Sequence, residues 1–167
     1  MIHRPELLDA LTESPVRAVD GTYWRHMFGE RSPETENTRG ARWNPPGLGA
    51  IYLSSTHQGA VEEGDHASAI QPFRPKIARY VYRVDLTLQR ALDLSQPGGL
   101  RGAGLNADDL TDDDFAACQE VGAAAAWLEH DGLIVPSVRS TAINIVILPD
   151  LQGESSRFGY GDGEQLR

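Results

Sequence analysis

Between Ile77 and Leu86 the side chains alternate: Ile77, Arg79, Val81, Arg83 and Asp85 face one way, and Ala78, Tyr80, Tyr82, Val84 and Leu86 the other. A period of two sustained this long is satisfied by an extended strand with an aromatic-rich face covered and a largely polar face open. The fold must therefore hold a sheet, and the chain supplies partners for it. Ala50–Ser54, Leu133–Val138 and Ile143–Leu148 are short apolar runs bounded by turn residues, Ala91–Leu94 is a brief further strand, and Val16–Val19 and Thr22–Phe28 read as two strands broken by the Asp20-Gly21 turn signal.

Helical spacing accounts for much of the remainder. Leu7, Leu8 and Leu11 follow Pro5, a residue suited to a first helical turn. Phe115, Cys118, Gly122, Ala125 and Leu128 recur at three- and four-residue steps, predicting a helix from about Asp112 to His130. Thr111 is its expected cap, and the aspartates from Asp108 to Asp114 complement the positive end of that helix better than they fit a calcium loop. A third helix begins near His57, capped by Ser55 or Thr56. These elements fit one domain over residues 1–150, with 151–167 a polar, Gly-rich, loose tail; Gly159-Tyr160-Gly161-Asp162-Gly163 lacks the flanking strand and helix of a phosphate loop. Gly29–Thr38 is polar and aperiodic, a flexible loop leading onward.

Charge and cysteine content narrow the function. A net charge of -9 argues against direct nucleic-acid binding and against an anionic membrane surface, both of which call for a basic face. One cysteine, Cys118, rules out an internal disulfide, and its place among the helical apolar positions reads as core rather than nucleophile. No apolar run approaches a membrane span and the N-terminus has no apolar signal region, so a cytoplasmic protein is expected. His57 and His66 are too far apart for one helical face, no metal is expected, and His66 beside Asp65 reads as a surface residue.

Against that acidic background, Arg25, Arg39 and Arg42 crowd toward one Gly/Pro-rich loop that also carries Trp43, with Tyr52 on the strand after it. Guanidiniums bind phosphate and aromatic rings stack on flat ligands. On the helix after Tyr52, a rotation of about 100° per residue groups Ala60, Gly64, Ala67 and Ile70 on one face, with Glu63 at its edge and Glu62 pointing away. A carboxylate beside small packing residues must be paired or be chemically engaged. A salt bridge to an arginine and the stabilisation of a cationic transition state are both consistent with that position.

In this order, Tyr23-Trp24-Arg25, Gly40-Ala41-Arg42-Trp43-Asn44 with Gly47, Ile51-Tyr52-Leu53-Ser54, Ala60 with Glu63, Gly132-Leu133-Ile134-Val135-Pro136-Ser137 and Asn144-Ile145-Val146-Ile147 resemble the RES-domain family, toxins of bacterial toxin-antitoxin pairs named for an Arg, a Glu and a Ser. The resemblance runs from about Arg25 to Leu148. It implies an α+β, ADP-ribosyltransferase-like fold, with a split, mostly antiparallel sheet and flanking helices enclosing an NAD cleft. It implies NAD as substrate, cleaved at the nicotinamide-ribose bond by hydrolysis or phosphorolysis, and a cognate Xre-like helix-turn-helix antitoxin as partner; a homo-oligomer stays open. Glu63 and Arg42 are then the expected catalytic residues, and Arg25, Arg39, Arg42, Tyr52, Ser137 and Asn144 the expected NAD-binding ones. Protein ADP-ribosylation, a non-catalytic nucleotide- or partner-binding module, and an acyl hydrolase acting through Ser137 are the alternatives.

Overall fold

A computed structural model describes residues 2–70 and 77–167. Its frame is two long strands, β1 (Val16–Phe28) and β3 (Arg79–Asp93), paired antiparallel from Val16↔Leu92 to Phe28↔Arg79. Between them in the chain lie β2 (Ile51–Ser54) and α2 (His57–Ala69), and α1 (Pro5–Thr12) precedes them. After β3 come the short helices α3 (Gly99–Gly102) and α4 (Ala107–Thr111), then α5 (Ala116–Trp127), β4 (Gly132–Pro136), β5 (Ile143–Ile147), β6 (Arg157–Tyr160) and β7 (Glu164–Leu166).

The strand order β1-β2-β5-β4-β3 closes through the β3–β1 pairing, giving a five-strand barrel of mixed orientation in which only β3–β4 is parallel. This corrects the expected split sheet. Closure follows from the length of β3: one edge is occupied by β1 along the whole strand, and the other still reaches β4 at Ala91–Asp93. The Asp131 carboxylate accepts the Gln89 and Arg90 backbone N–H groups at 2.7 and 3.0 Å, just where that parallel pairing begins. Accordingly β3 runs unbroken through the gap that sequence places before Ala91.

Two further expectations change for the same reason. Asp20-Gly21 is no turn, because β3 offers both residues continuous antiparallel partners in Thr87 and Leu86; a register irregularity between Arg17 and Val19 absorbs the mismatch. Nor is 151–167 a loose tail. β6 and β7 pair with the free edge of β3 at Val84–Thr87 and Arg79–Val81, using backbone groups that a polar, Gly-rich composition leaves intact. Phe158 packs on the barrel core, and Gly163 lies where a Cβ would come within 2.7 Å of the Tyr82 ring.

Alternation splits the apolar residues into two cores. Val19, Ile51, Leu53, Val84, Leu86, Leu88, Ile134, Ile145 and Ile147 fill the barrel. Leu133, Val135 and Val146, on the opposite faces of their strands, meet Leu7 and Leu11 of α1, Cys118, Val121 and Ala125 of α5, and Trp43. Cys118 is thus core, as expected. The acidic run begins a different helix from the one expected: Asn106 and Asp109 form a reciprocal capping box on α4, Thr111 ends that helix, and α5 starts only at Ala116, whose N–H Asp114 accepts at 2.9 Å. Among the described residues, no helix is long and apolar enough to cross a membrane.

Candidate functional site

The helix carrying Glu63 is anchored at its start. Thr56 accepts the Gly59 N–H at 2.9 Å as N-cap, and Gly59 itself sits so close to the end of β2 that a Cβ would fall 2.2 Å from Ser54 Oγ. One turn on, Gly64 meets the His26 ring, where a Cβ would lie 2.2 Å from the imidazole. The buried residues of α2 are Gly59, Ala60, Gly64 and Ser68; Ile70 is 66% exposed, so the packing face is rotated from the one predicted. His26 is held on its other side by Arg79 Nε, 2.8 Å away, while Arg79 also bridges Asp65 at 2.8 Å. Burial first, and then the Arg79 charge, push the imidazole down to about 4, so His26 is neutral near pH 7.

So anchored, α2 aims Glu63 at the outer face of the barrel wall. There Asn144 of β5 pairs with both Ser54 of β2 and Val135 of β4, and Ser137 follows β4 directly. Ser137 Oγ donates to Glu63 Oε1 at 3.2 Å, and Asn144 Nδ2 reaches the same oxygen at 3.4 Å. Among the described residues, the carboxylate is thus held by two neutral donors and by no arginine. Asn144 Oδ1 is buried without a hydrogen-bond partner, an acceptor aligned with the same cluster. Glu62 does not simply point away: Gln58 Nε2 donates to its Oε1 at 3.3 Å, and its Oε2 is buried and unpaired.

The arginines divide. Arg25, on β1, is half-buried and donates to the Pro33 carbonyl; burial, then the neighbouring Arg31 charge, lower its guanidinium to about 10, so it stays charged at neutral pH. With Arg31 and Arg39 it lines a cleft of about 400 Å³ whose far side is the loop Thr35–Arg39. Arg39 is exposed there, its backbone N–H fixed to Asn37 Oδ1 at 2.9 Å. Arg42 is engaged elsewhere: its guanidinium donates to the Asp109 and Asp112 carbonyls at 3.1 and 2.9 Å and lies 4.4 Å over the Phe115 ring, bracing the α4–α5 corner.

Tyr52 likewise holds protein rather than presenting an open ring. Its hydroxyl donates to Asn44 Oδ1 at 2.6 Å and accepts the Trp43 N–H at 3.0 Å, and burial drives the phenol far up from its ordinary value. Asn44, fully buried, donates onward to the Asn37 and Leu48 carbonyls. Trp43 is buried against α5, where Gly122 leaves room for the Trp43 carbonyl; a Cβ there would be 1.7 Å from that oxygen. The Gly40-Ala41-Arg42-Trp43-Asn44 motif is therefore a stitched loop, and its stitching sets the wall of the arginine cleft.

The RES-domain family model matches residues 14–160. The chain belongs to the RES family. It is 35% identical over 145 residues to proteins named NAD(+) phosphorylase MbcT from Mycobacterium bovis and Mycobacterium tuberculosis, covering 77% of this chain and 78% of the relative. A probable NAD(+) phosphorylase of Mycobacterium tuberculosis is 31% identical over 169 residues, 90% of this chain and 77% of that protein. Among solved structures, the M. tuberculosis MbcT-MbcA toxin-antitoxin complex aligns with a TM-score of 0.84 at 25% identity, over 98% of this chain and 93% of that one.

Glu63 and Ser137 meet directly in the fold, and Arg25 lines the cleft beside β1. Sequence reasoning took His66 for a surface residue and passed over Arg139, yet His66 is partly buried and the two meet. His66 lies three positions on along α2 and contacts Arg139, whose guanidinium is 2.7 Å from its Nε2. The helical step from Glu63 to His66 was a legible signal; the loop that returns Arg139 toward α2 was not. Among the described residues, no group of His, Cys, Asp and Glu side chains could hold a metal ion.

Proposed function

We propose that this chain is a toxin-type enzyme that depletes NAD by cleaving its nicotinamide-ribose bond, with inorganic phosphate as the acceptor and water as the alternative. The observation that carries this reading is the Glu63 carboxylate, held by Ser137 and Asn144 and, among the described residues, by no guanidinium, in a chain of the RES family. Nicotinamide leaves a pyridinium as a neutral molecule, so the site needs little acid catalysis; it needs negative charge beside a ribose carbon that becomes cationic. Glu63 supplies that charge. Ser137 and Asn144 fix its orientation, and the unpaired Asn144 Oδ1 can accept from a ribose hydroxyl or the nicotinamide amide.

Arg25 and Arg39, with Arg31, are the cations for the pyrophosphate, since their cleft gathers three arginines against one carboxylate, Glu36, on an otherwise acidic protein. Arg42 and Tyr52 are assigned to bracing the loop that forms this cleft. An antitoxin of Xre-like helix-turn-helix type is the proposed partner, covering the cleft, in the cytoplasm where NAD is consumed. The names of the phosphorylase relatives favour phosphate over a protein side chain as acceptor. Ser137 as an acyl-hydrolase nucleophile is disfavoured because its hydroxyl donates to a carboxylate rather than to an imidazole base.

Incubating the purified chain with NAD, with and without phosphate, and measuring free nicotinamide tests the reading. Nicotinamide release that accelerates with phosphate is the expected result; NAD left intact in both buffers would sink it. Labelled NAD added to a cell lysate separates the main alternative, since label concentrating on one protein band would identify a protein acceptor.

A further inference from the structure

Phosphorolysis requires a dianion to approach a ribose carbon already flanked by the Glu63 carboxylate. Coulomb repulsion opposes that approach unless a cation sits on the acceptor side. The loop after β4 provides one. Arg139 donates its backbone N–H to Ser137 Oγ at 3.1 Å, and that hydroxyl donates in turn to Glu63. The Arg139 side chain folds toward α2, placing a guanidinium nitrogen 2.7 Å from His66 Nε2. Arginine has only donors, so His66 Nε2 is the acceptor in this contact.

An accepting ring nitrogen carries no negative charge to cancel the guanidinium. Among the described residues, Arg139 has no carboxylate within ion-pair distance, whereas Asp65, the acid next to His66, is bound to Arg79. Arg139 is exposed; its backbone joins Glu63 through the Ser137 hydroxyl, and its guanidinium reaches the same helix three residues on, at His66. Planar paired donors of this kind match phosphate oxygens.

We infer that Arg139, positioned by His66 and by its backbone bond to Ser137, forms the subsite for the acceptor phosphate. The inference rests on the phosphorolytic reading above. In the step it serves, an oxygen lone pair of hydrogen phosphate forms the new bond to ribose C1′. The C1′–N bond breaks with its electron pair going to the ring nitrogen. Neutral nicotinamide leaves, and the phosphate keeps its proton, so no further reactant is needed.

Initial rates of nicotinamide release, with phosphate titrated at saturating NAD and NAD titrated at saturating phosphate, test the assignment in the parent chain, Arg139→Gln and Arg139→Lys. Thermal melts verify that both variants are folded. Arg139→Gln should raise the KM for phosphate roughly tenfold or more, the scale of one lost charged hydrogen bond, while the KM for NAD changes by less than about twofold. Arg139→Lys should recover part of the loss by restoring the charge without the fork. An unchanged phosphate KM in folded Arg139→Gln overturns the subsite, and so does an equal rise in the KM for NAD, which would give the guanidinium to the dinucleotide. A parent that releases nicotinamide at a phosphate-independent rate also overturns it, yet leaves NAD cleavage standing; a parent that releases none removes the underlying functional reading.

Discussion

At the scale of single residues, adjacent carboxylates of equal chemistry receive different surroundings. Among the described residues, Glu63 is held by Ser137 and Asn144, whereas Glu62 meets Gln58 and leaves one oxygen buried and unpaired. If Glu63 acts on the developing ribose cation, Glu63→Gln should lower kcat by roughly 10²–10³, as expected for losing one preorganised electrostatic contact. Its KM for NAD should move little, because the charge matters mainly once the bond begins to break. Glu62→Gln replaces an unpaired acceptor with a donor and should leave kcat within about threefold of the parent, with stability unchanged or slightly raised. Steady-state kinetics with a melting curve for each variant checks both; an active Glu63→Gln beside an inactive Glu62→Gln would reverse the assignment.

Elements in this fold are placed by close approaches that only small residues permit. Gly122 in α5 admits the Trp43 carbonyl, and Gly64 in α2 admits the His26 ring. Gly122→Ala should displace the loop carrying Trp43 and destabilise the fold by about 1–3 kcal/mol, the usual scale of overpacking. Urea unfolding would measure it, and an unchanged midpoint would show that the loop can yield without strain. The C-terminal strands have a comparable role at the edge of β3. Removing residues 152–167 uncovers the backbone of β3 from Arg79 to Thr87 and the surface beneath Phe158. The truncated chain should melt at lower temperature and self-associate through the bared edge. Light scattering against concentration reads this, and a monodisperse monomer with the parent melting temperature would contradict it.

For the molecule as a whole, stability should depend on pH through buried imidazoles. His26 is lowered from 6.5 to about 4 chiefly by burial, and His130, buried and bonded through Nδ1 to the Arg90 carbonyl at 3.0 Å, is lowered too, chiefly by burial. A histidine whose folded value is depressed takes up its proton more readily when unfolded. Stability therefore falls as pH drops below about 6.5, and the His26 contribution levels off near pH 4. Urea midpoints at pH 7, 5.5 and 4.5 should decline in that order, and His26→Gln should flatten the slope; a slope identical to the parent's would remove His26 from the account.

Sequence alone determined the elements whose signals are local: the period-two run before Leu86, the leucines of α1, a cap for α2 at Ser55 or Thr56 that the fold gives to Thr56, and the two apolar strands β4 and β5. Local chemistry also singled out Glu63, and the fold sets it against Ser137 and Asn144, although the packing face of α2 is rotated from the one expected. Tertiary structure decided what depends on long-range pairing. A long partner strand overrode the Asp20-Gly21 turn, closed the sheet into a barrel and captured the last residues as strands, because backbone groups along an open edge bind any extended segment that reaches them. It also decided how the arginines divide, since a guanidinium suits a ligand phosphate and a helix-corner carbonyl equally well. Residue type left both roles open to Arg25 and Arg42; in the fold Arg42 donates to the Asp109 and Asp112 carbonyls, and Arg25 lines a cleft with Arg31 and Arg39.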